Sequence, residues 1–116
     1  MKYMLLFYAS EAAAQQVQEQ GEAIASAWYA FLQEANASGA LITTNGLLPT
    51  SNATTVRIRD NKTLTTDGPY AETHEQLGGF AIFECTDLDD AINWAEKIPH
   101  ARYGSVEIRP LWSEGG

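Results

Sequence analysis

The densest run of chemically able side chains is Thr65-Thr66-Asp67-Gly68-Pro69-Tyr70-Ala71-Glu72-Thr73-His74-Glu75-Gln76-Leu77-Gly78-Gly79-Phe80. An aspartate, two glutamates, a histidine and several hydroxyls stand there within a few residues of one another. General acid–base catalysis needs such groups side by side, on backbone firm enough to aim them. Asp67-Gly68-Pro69 is a turn sequence, and Gly78-Gly79 permits close backbone approach or a positive φ. Asp67 or Glu72 is therefore expected to act as a base and His74 as a proton relay, on a loop between sheet elements. The plainer alternative is that Asp67 and Thr73 cap turns while Glu72, His74 and Glu75 face water.

A second cluster runs from Pro99 to Pro110 and contains His100, Arg102, Tyr103, Glu107 and Arg109. Glu107 and Arg109 lie two residues apart on an expected strand, so they share a face. Arg102 or Arg109 could clamp the carboxylate of a substrate, with Glu107 beside them in a ligand site. A salt bridge stiffening an interface explains the Glu107–Arg109 pair equally well. His100 and Arg102 precede that strand and either bind an anionic group or face solvent.

Other chemistries fall away. No Gly-rich phosphate loop, nucleophile elbow or paired-cysteine motif is present. Asp87, Asp89 and Asp90 lack EF-hand spacing and read as helix-start acids. Cys85 is the only cysteine, which excludes an internal disulfide and a cysteine zinc cage. His74 and His100 are far apart in sequence, so no metal and no cofactor are expected. A net charge of −8 repels phosphate backbones and anionic lipid, which argues against nucleic-acid and membrane partners. The apolar stretch Met4–Tyr8 is too short for a signal-peptide core, so a cytoplasmic protein is expected.

The elements that must position these residues are legible from periodicity. The chain has 116 residues, 45% of them hydrophobic, enough for a single domain spanning 1–116. Lys2–Tyr8 reads as a strand buried on both faces, followed by Ser10 as a helix N-cap. Val17, Gly21, Ile24, Trp28, Phe31 and Ala35 form the apolar stripe of a helix that Gly21 kinks or breaks and Gly39 ends. Leu41–Leu47 is a second strand. Residues near 55–66 make a hairpin with one wet face, Val56 and Ile58 alternating with Arg57 and Arg59. Phe80–Cys85 is again apolar on both faces. Asp87 caps a last helix with Leu88, Ala91, Ile92, Ala95 and Ile98 as its stripe, and Pro99 stops it. Ser105–Arg109 is the final strand. The order is βαββαβ, a ferredoxin-like α+β fold with an inserted β-hairpin. Its two helices cover one face of the sheet. The other face would be an apolar patch larger than a monomer tolerates, so a homodimer closed sheet to sheet is expected.

Met1-Lys2-Tyr3-Met4-Leu5-Leu6, Asp67-Gly68-Pro69-Tyr70-Ala71-Glu72-Thr73, Glu75-Gln76-Leu77-Gly78-Gly79-Phe80 and Ala101-Arg102-Tyr103-Gly104-Ser105-Val106-Glu107-Ile108-Arg109-Pro110 resemble the YCII-related family in its DGPF branch. The likeness extends over nearly the whole chain. It implies a dimeric α+β barrel, a bacterial source, and genes that neighbour those of extracytoplasmic-function sigma factors. Some relatives in the wider superfamily are lyase-like and use a His–Asp pair. This chain departs from them: the long helical stretch from Ser10 to Ser38 holds no histidine, His74 replaces the branch's usual lysine, and Tyr70 replaces its phenylalanine. Asp67 and Glu72 match the branch motif. Two functions follow as expectations. One is lyase- or isomerase-like proton transfer on a small anionic or aromatic molecule. The other is a non-catalytic ligand-binding or regulatory module linked to sigma-factor and transcription control.

Overall fold

A computed structural model describes residues 1–112 of the chain. Strand β1 (Lys2–Ser10) leads into α1 (Glu11–Glu19) and α2 (Gly21–Ser38), then β2 (Leu41–Gly46). The hairpin β3 (Thr54–Arg59) and β4 (Lys62–Asp67) follows, and then β5 (Glu75–Glu84), α3 (Leu88–Lys97) and β6 (Ser105–Pro110). The main sheet is antiparallel with order β2-β5-β1-β6. That is the ferredoxin-like plan, and β3-β4 forms a separate two-stranded sheet.

Local chemistry sets the element ends. The Ser10 side chain accepts from the Ala13 N–H and caps α1. The helical stretch breaks at Gln20, beside Gly21, so there are two helices rather than one kinked helix. Gly39 ends α2 at φ 76°, a conformation that favours glycine. Asp87 accepts from the Asp90 N–H at 2.9 Å, while the Asp90 carboxylate reaches back to the Thr86 N–H at 2.9 Å. The capping box is thus closed one residue further out than expected.

The period-two pattern of β1 sorts its side chains between two faces. Tyr3, Leu5 and Phe7, with Ala81 and Phe83 of β5 and Cys85 just after it, are buried beneath the helices, against Phe31, Ala35, Ala91, Ala95 and Ile98. Met4 and Leu6 point the other way and stand directly opposite Ile82 and Phe80. This open face also carries Tyr8, Ser105, Glu107 and Arg109, since Ser105 pairs with Tyr8, Glu107 with Leu6 and Arg109 with Met4.

Three expectations need correction. Leu88 and Ile92 of α3 are exposed. Instead Ala91 and Ala95 let the helix approach the sheet, and Trp94 wraps over Phe83 with ring centroids 4.9 Å apart. The hairpin has no dry face in the single chain: Val56, Ile58 and Leu64 are all exposed, because β3 and β4 pair only with each other. Its tight turn, Asp60-Asn61 with φ 52° and 62°, has the positive φ values of a type I′ hairpin. The hairpin extends as an arm. The radius of gyration is 16.2 Å, against about 13 Å for a compact chain of this length. Finally, β5 begins at Glu75 rather than Phe80, so Glu75–Gly79 is strand, not loop. Gly78 and Gly79 both lack a positive φ. What the second glycine supplies is space, since a Cβ on Gly79 would lie 2.8 Å from the Asn45 carbonyl oxygen of β2.

Candidate functional site

The residues singled out by sequence are dispersed by the fold. Asp67 ends β4 on the arm, and Glu72 and His74 follow in the connection to β5; all three are exposed. None of them lines the cavities around Tyr8 or His100. Arg102 is exposed at the end of a 3-10 turn, Pro99–Arg102. Arg57 donates to the Tyr70 carbonyl at 3.0 Å and Arg59 to its neighbour Ile58. Neither arginine meets a carboxylate in an ion pair among the described residues. Glu107 and Arg109 do share the open face, as their spacing requires, but no ion pair joins them among the described residues.

A different set converges where β1, β5 and β6 end together. The Tyr8 hydroxyl donates to Glu107 Oε1 at 3.2 Å. Burial, followed by the negative charge of Glu107, pushes the Tyr8 pKa up from its ordinary value. The Ser105 hydroxyl lies 3.1 Å from each oxygen of the Glu75 carboxylate. Tyr8 and Glu75 line an open cavity of about 820 Å3 between the sheet and the base of the arm, walled by Leu48, Val56, Tyr70 and Leu77. Pro69, Ala71 and Thr73 also border it, so the Asp67–His74 segment supplies the rim through its intervening residues.

On the other side of the same strand end lies a smaller cavity of about 490 Å3, walled by Phe7, Trp28, Gly78, His100 and Tyr103. The β1–β5 register slips between Phe7 and Tyr8: Phe7 opposes Gly79, Tyr8 opposes Leu77, and Gly78 is bulged out. The bulge separates the two cavities by one strand. The His100 and Tyr103 rings lie 4.8 Å apart, tilted by 47°, and His100 Nδ1 lies 3.2 Å from the Tyr103 hydroxyl. Its Nε2 is shielded from solvent and has no hydrogen-bond partner.

Burial pushes the His100 imidazole below its ordinary pKa of 6.5, an effect that the negative charge of Glu75 partly offsets. The unfolded chain therefore binds that proton more readily than the folded one. The stability this confers is complete above about pH 6.5 and is lost as pH falls from there through the lower folded-state pKa. Unfolding free energies measured in urea are expected to drop as the pH falls below about 6.5. His100→Phe is expected to flatten that decline. An unchanged pH profile in the variant would assign the slope to other groups.

Sequence reasoning missed Tyr8, Glu75 and Ser105 as a set. Alternation already placed Ser105 and Tyr8 on the open face. Glu75 was hidden because Gly78-Gly79 reads as punctuation, which disguises the strand running through it.

Comparisons with known proteins agree on fold and family. The model of the YCII-related domain matches residues 1–114. The uncharacterized protein R00369 of Rhizobium meliloti (strain 1021) is 45% identical over 67 residues, 56% of this chain. The matched stretch spans about half of that relative, 54% of its length. Among solved structures, 5-chloro-2-hydroxyhydroquinone dehydrochlorinase (TftG) from Burkholderia phenoliruptrix AC1100, in complex with 2,5-dihydroxybenzoquinone, is similar in fold. The TM-score is 0.56 at 14% identity, over 99% of this chain and 96% of that one. That structure belongs to the dimeric α+β barrel class, and the chain shares its α+β fold. With the family model spanning nearly the whole chain, and the strand order and motifs agreeing with it, the chain belongs to the YCII-related domain family.

Proposed function

We propose that the chain acts as a homodimer on a small anionic or aromatic molecule, by proton transfer of the lyase or isomerase kind. One observation carries this reading: the Glu75 carboxylate is held by the Ser105 hydroxyl in the lining of a largely apolar cavity. Abstraction of a proton needs a carboxylate in a defined place, beside a cleft that can exclude water. Glu75 is the base, and the Tyr8 hydroxyl, directed at Glu107, orients the substrate. Arg109 on the same face attracts an anionic group. Asp67, Glu72 and His74 act from the segment whose intervening residues form the cavity rim.

The dehydrochlorinase of similar fold was solved with a dihydroxylated quinone. A small oxygenated ring is thus a sensible first class to screen. Thermal-shift screening of small carboxylates and quinols is expected to yield a ligand that raises the melting temperature. With a turned-over ligand in hand, Glu75→Gln is expected to lower turnover by roughly 100-fold or more. Binding should change by no more than about threefold, since the amide keeps the size of the carboxylate. Full turnover in the variant removes Glu75 as base. A ligand that binds without ever being turned over instead identifies a sensing module.

A further inference from the structure

We propose that the cavity walled by Phe7, Trp28 and Tyr103 receives a planar aromatic molecule bearing an oxygen on its edge, and that Nε2 of His100 holds that oxygen. This rests on the reading of the chain as acting on a small molecule. It adds a binding group on the opposite side of the bulged strand from Glu75.

The walls define the shape of the guest. Phe7 and Trp28 stand with ring centroids 5.6 Å apart, and His100 lies 5.7 Å from Phe7 and 6.5 Å from Trp28. The cavity offers such a cluster of rings, which favours an aromatic guest over an aliphatic one. A volume of about 490 Å3 falls in the range of small-molecule pockets, about 300–1,000 Å3. No carboxylate, lysine or arginine is among the lining residues. The guest is therefore recognised by ring and hydrogen bond rather than by an ion pair.

The polar requirement is equally specific. His100 has two ring nitrogens, and Nδ1 is already engaged by the Tyr103 hydroxyl. Nε2, shielded and unpartnered, is the one buried side-chain nitrogen or oxygen left without a partner among the described residues. A buried polar atom in that state is costly, and a ligand oxygen removes the cost. With the Tyr103 O–H donating to Nδ1, Nε2 carries the ring hydrogen and donates to a carbonyl or phenolate oxygen. In the other tautomer it accepts from a phenol. An oxygen satisfies both.

Gly78 borders the same cavity. A Cβ there would stand 3.7 Å from His100 Cε1, the carbon between the two ring nitrogens. The glycine leaves that edge of the imidazole open to the strand, and its backbone is not in a glycine-only conformation. Because Nε2 is shielded without a ligand, the side chains around it must move on binding. Trp28 is the natural reporter of that movement.

The test is nitrogen-detected NMR of the full chain, with phenol as probe and cyclohexanol as the non-aromatic control. Phenol is expected to shift the His100 ring-nitrogen and Trp28 indole signals saturably, and cyclohexanol to leave them in place. His100→Phe should weaken phenol binding at least tenfold, on the order of one lost hydrogen bond to a buried group. Gly78→Ala, which narrows the approach without straining the backbone, should weaken it by roughly threefold. Phenol shifts confined to Tyr70, Thr73 and Val56, with His100→Phe binding normally, would overturn this site while leaving the Glu75 reading intact. Saturable His100 shifts combined with full turnover in Glu75→Gln would support this site and overturn that base. Absence of phenol shifts at His100 and Trp28 up to the solubility of the probe overturns the inference.

Discussion

Phe80→Glu is expected to leave the chain folded but monomeric at micromolar concentration, where the unsubstituted chain is expected to sediment as the proposed dimer. Phe80 stands on the open face, directly opposite Leu6 of β1 and Asn45 of β2, while its neighbours Gly79 and Ala81 are buried. Folding of the protomer does not need the ring. A dimer closed through this face does. Burying a phenylalanine contributes roughly 1.5–3 kcal/mol, and twofold symmetry removes that contribution twice. Each introduced carboxylate adds a desolvation cost of several kcal/mol unless a cation meets it. Together these terms weaken association by well over a thousandfold, taking about 1.4 kcal/mol per factor of ten. Sedimentation velocity on both proteins decides the matter. A monomeric unsubstituted chain would overturn the homodimer, and a persistent Phe80→Glu dimer would move the interface elsewhere. The arm is the next place to look, since Val56 and Ile58 stand exposed on it.

Gly104→Ala is expected to cause the largest loss of stability among single substitutions near the site. A Cβ at Gly104 would collide with the carbonyl oxygen of Tyr8, and would lie 3.1 Å from the carbonyl carbon and 3.2 Å from the Cα of Ala9. All three obstacles are backbone. Tyr8 is paired with Leu77 on one side and Ser105 on the other, so β1 cannot yield without opening a ladder. Overpacking of this kind costs about 3 kcal/mol, which for a chain of this size lowers the melting temperature by more than about 10 °C. The Gly104 N–H also donates to the His100 carbonyl at 2.8 Å. Displacing Gly104 therefore disturbs both cavities. Ser105→Ala is the control: it loses an exposed hydroxyl contact to Glu75 and should cost no more than about 1 kcal/mol. Thermal unfolding of the pair checks the result. Equal losses would mean that the strand ends part more easily than their pairing indicates.

Features decided by neighbours in the chain were readable in advance. Ser10 and Asp87 as caps, Gly39 as a terminator and the Gly21 break all depend on backbone groups within four residues. The two-faced character of β1 and β5 follows from alternation alone, and so do the ferredoxin-like order and the shared face of Glu107 and Arg109. The family was legible for the same reason, since its motifs are contiguous. Other outcomes depended on what lies across a gap. Gly78-Gly79 looked like a loop mark, yet Gly79 is small because the Asn45 carbonyl of β2 lies against it. That contact joins residues more than thirty positions apart. Glu75 gained its place from Ser105, and His100 lost water to Phe7, Trp28 and Tyr103. A single sequence records which groups can ionise or donate. Which of them lose water, and which find a partner, is set by the packing of distant strands, and only the tertiary structure holds that.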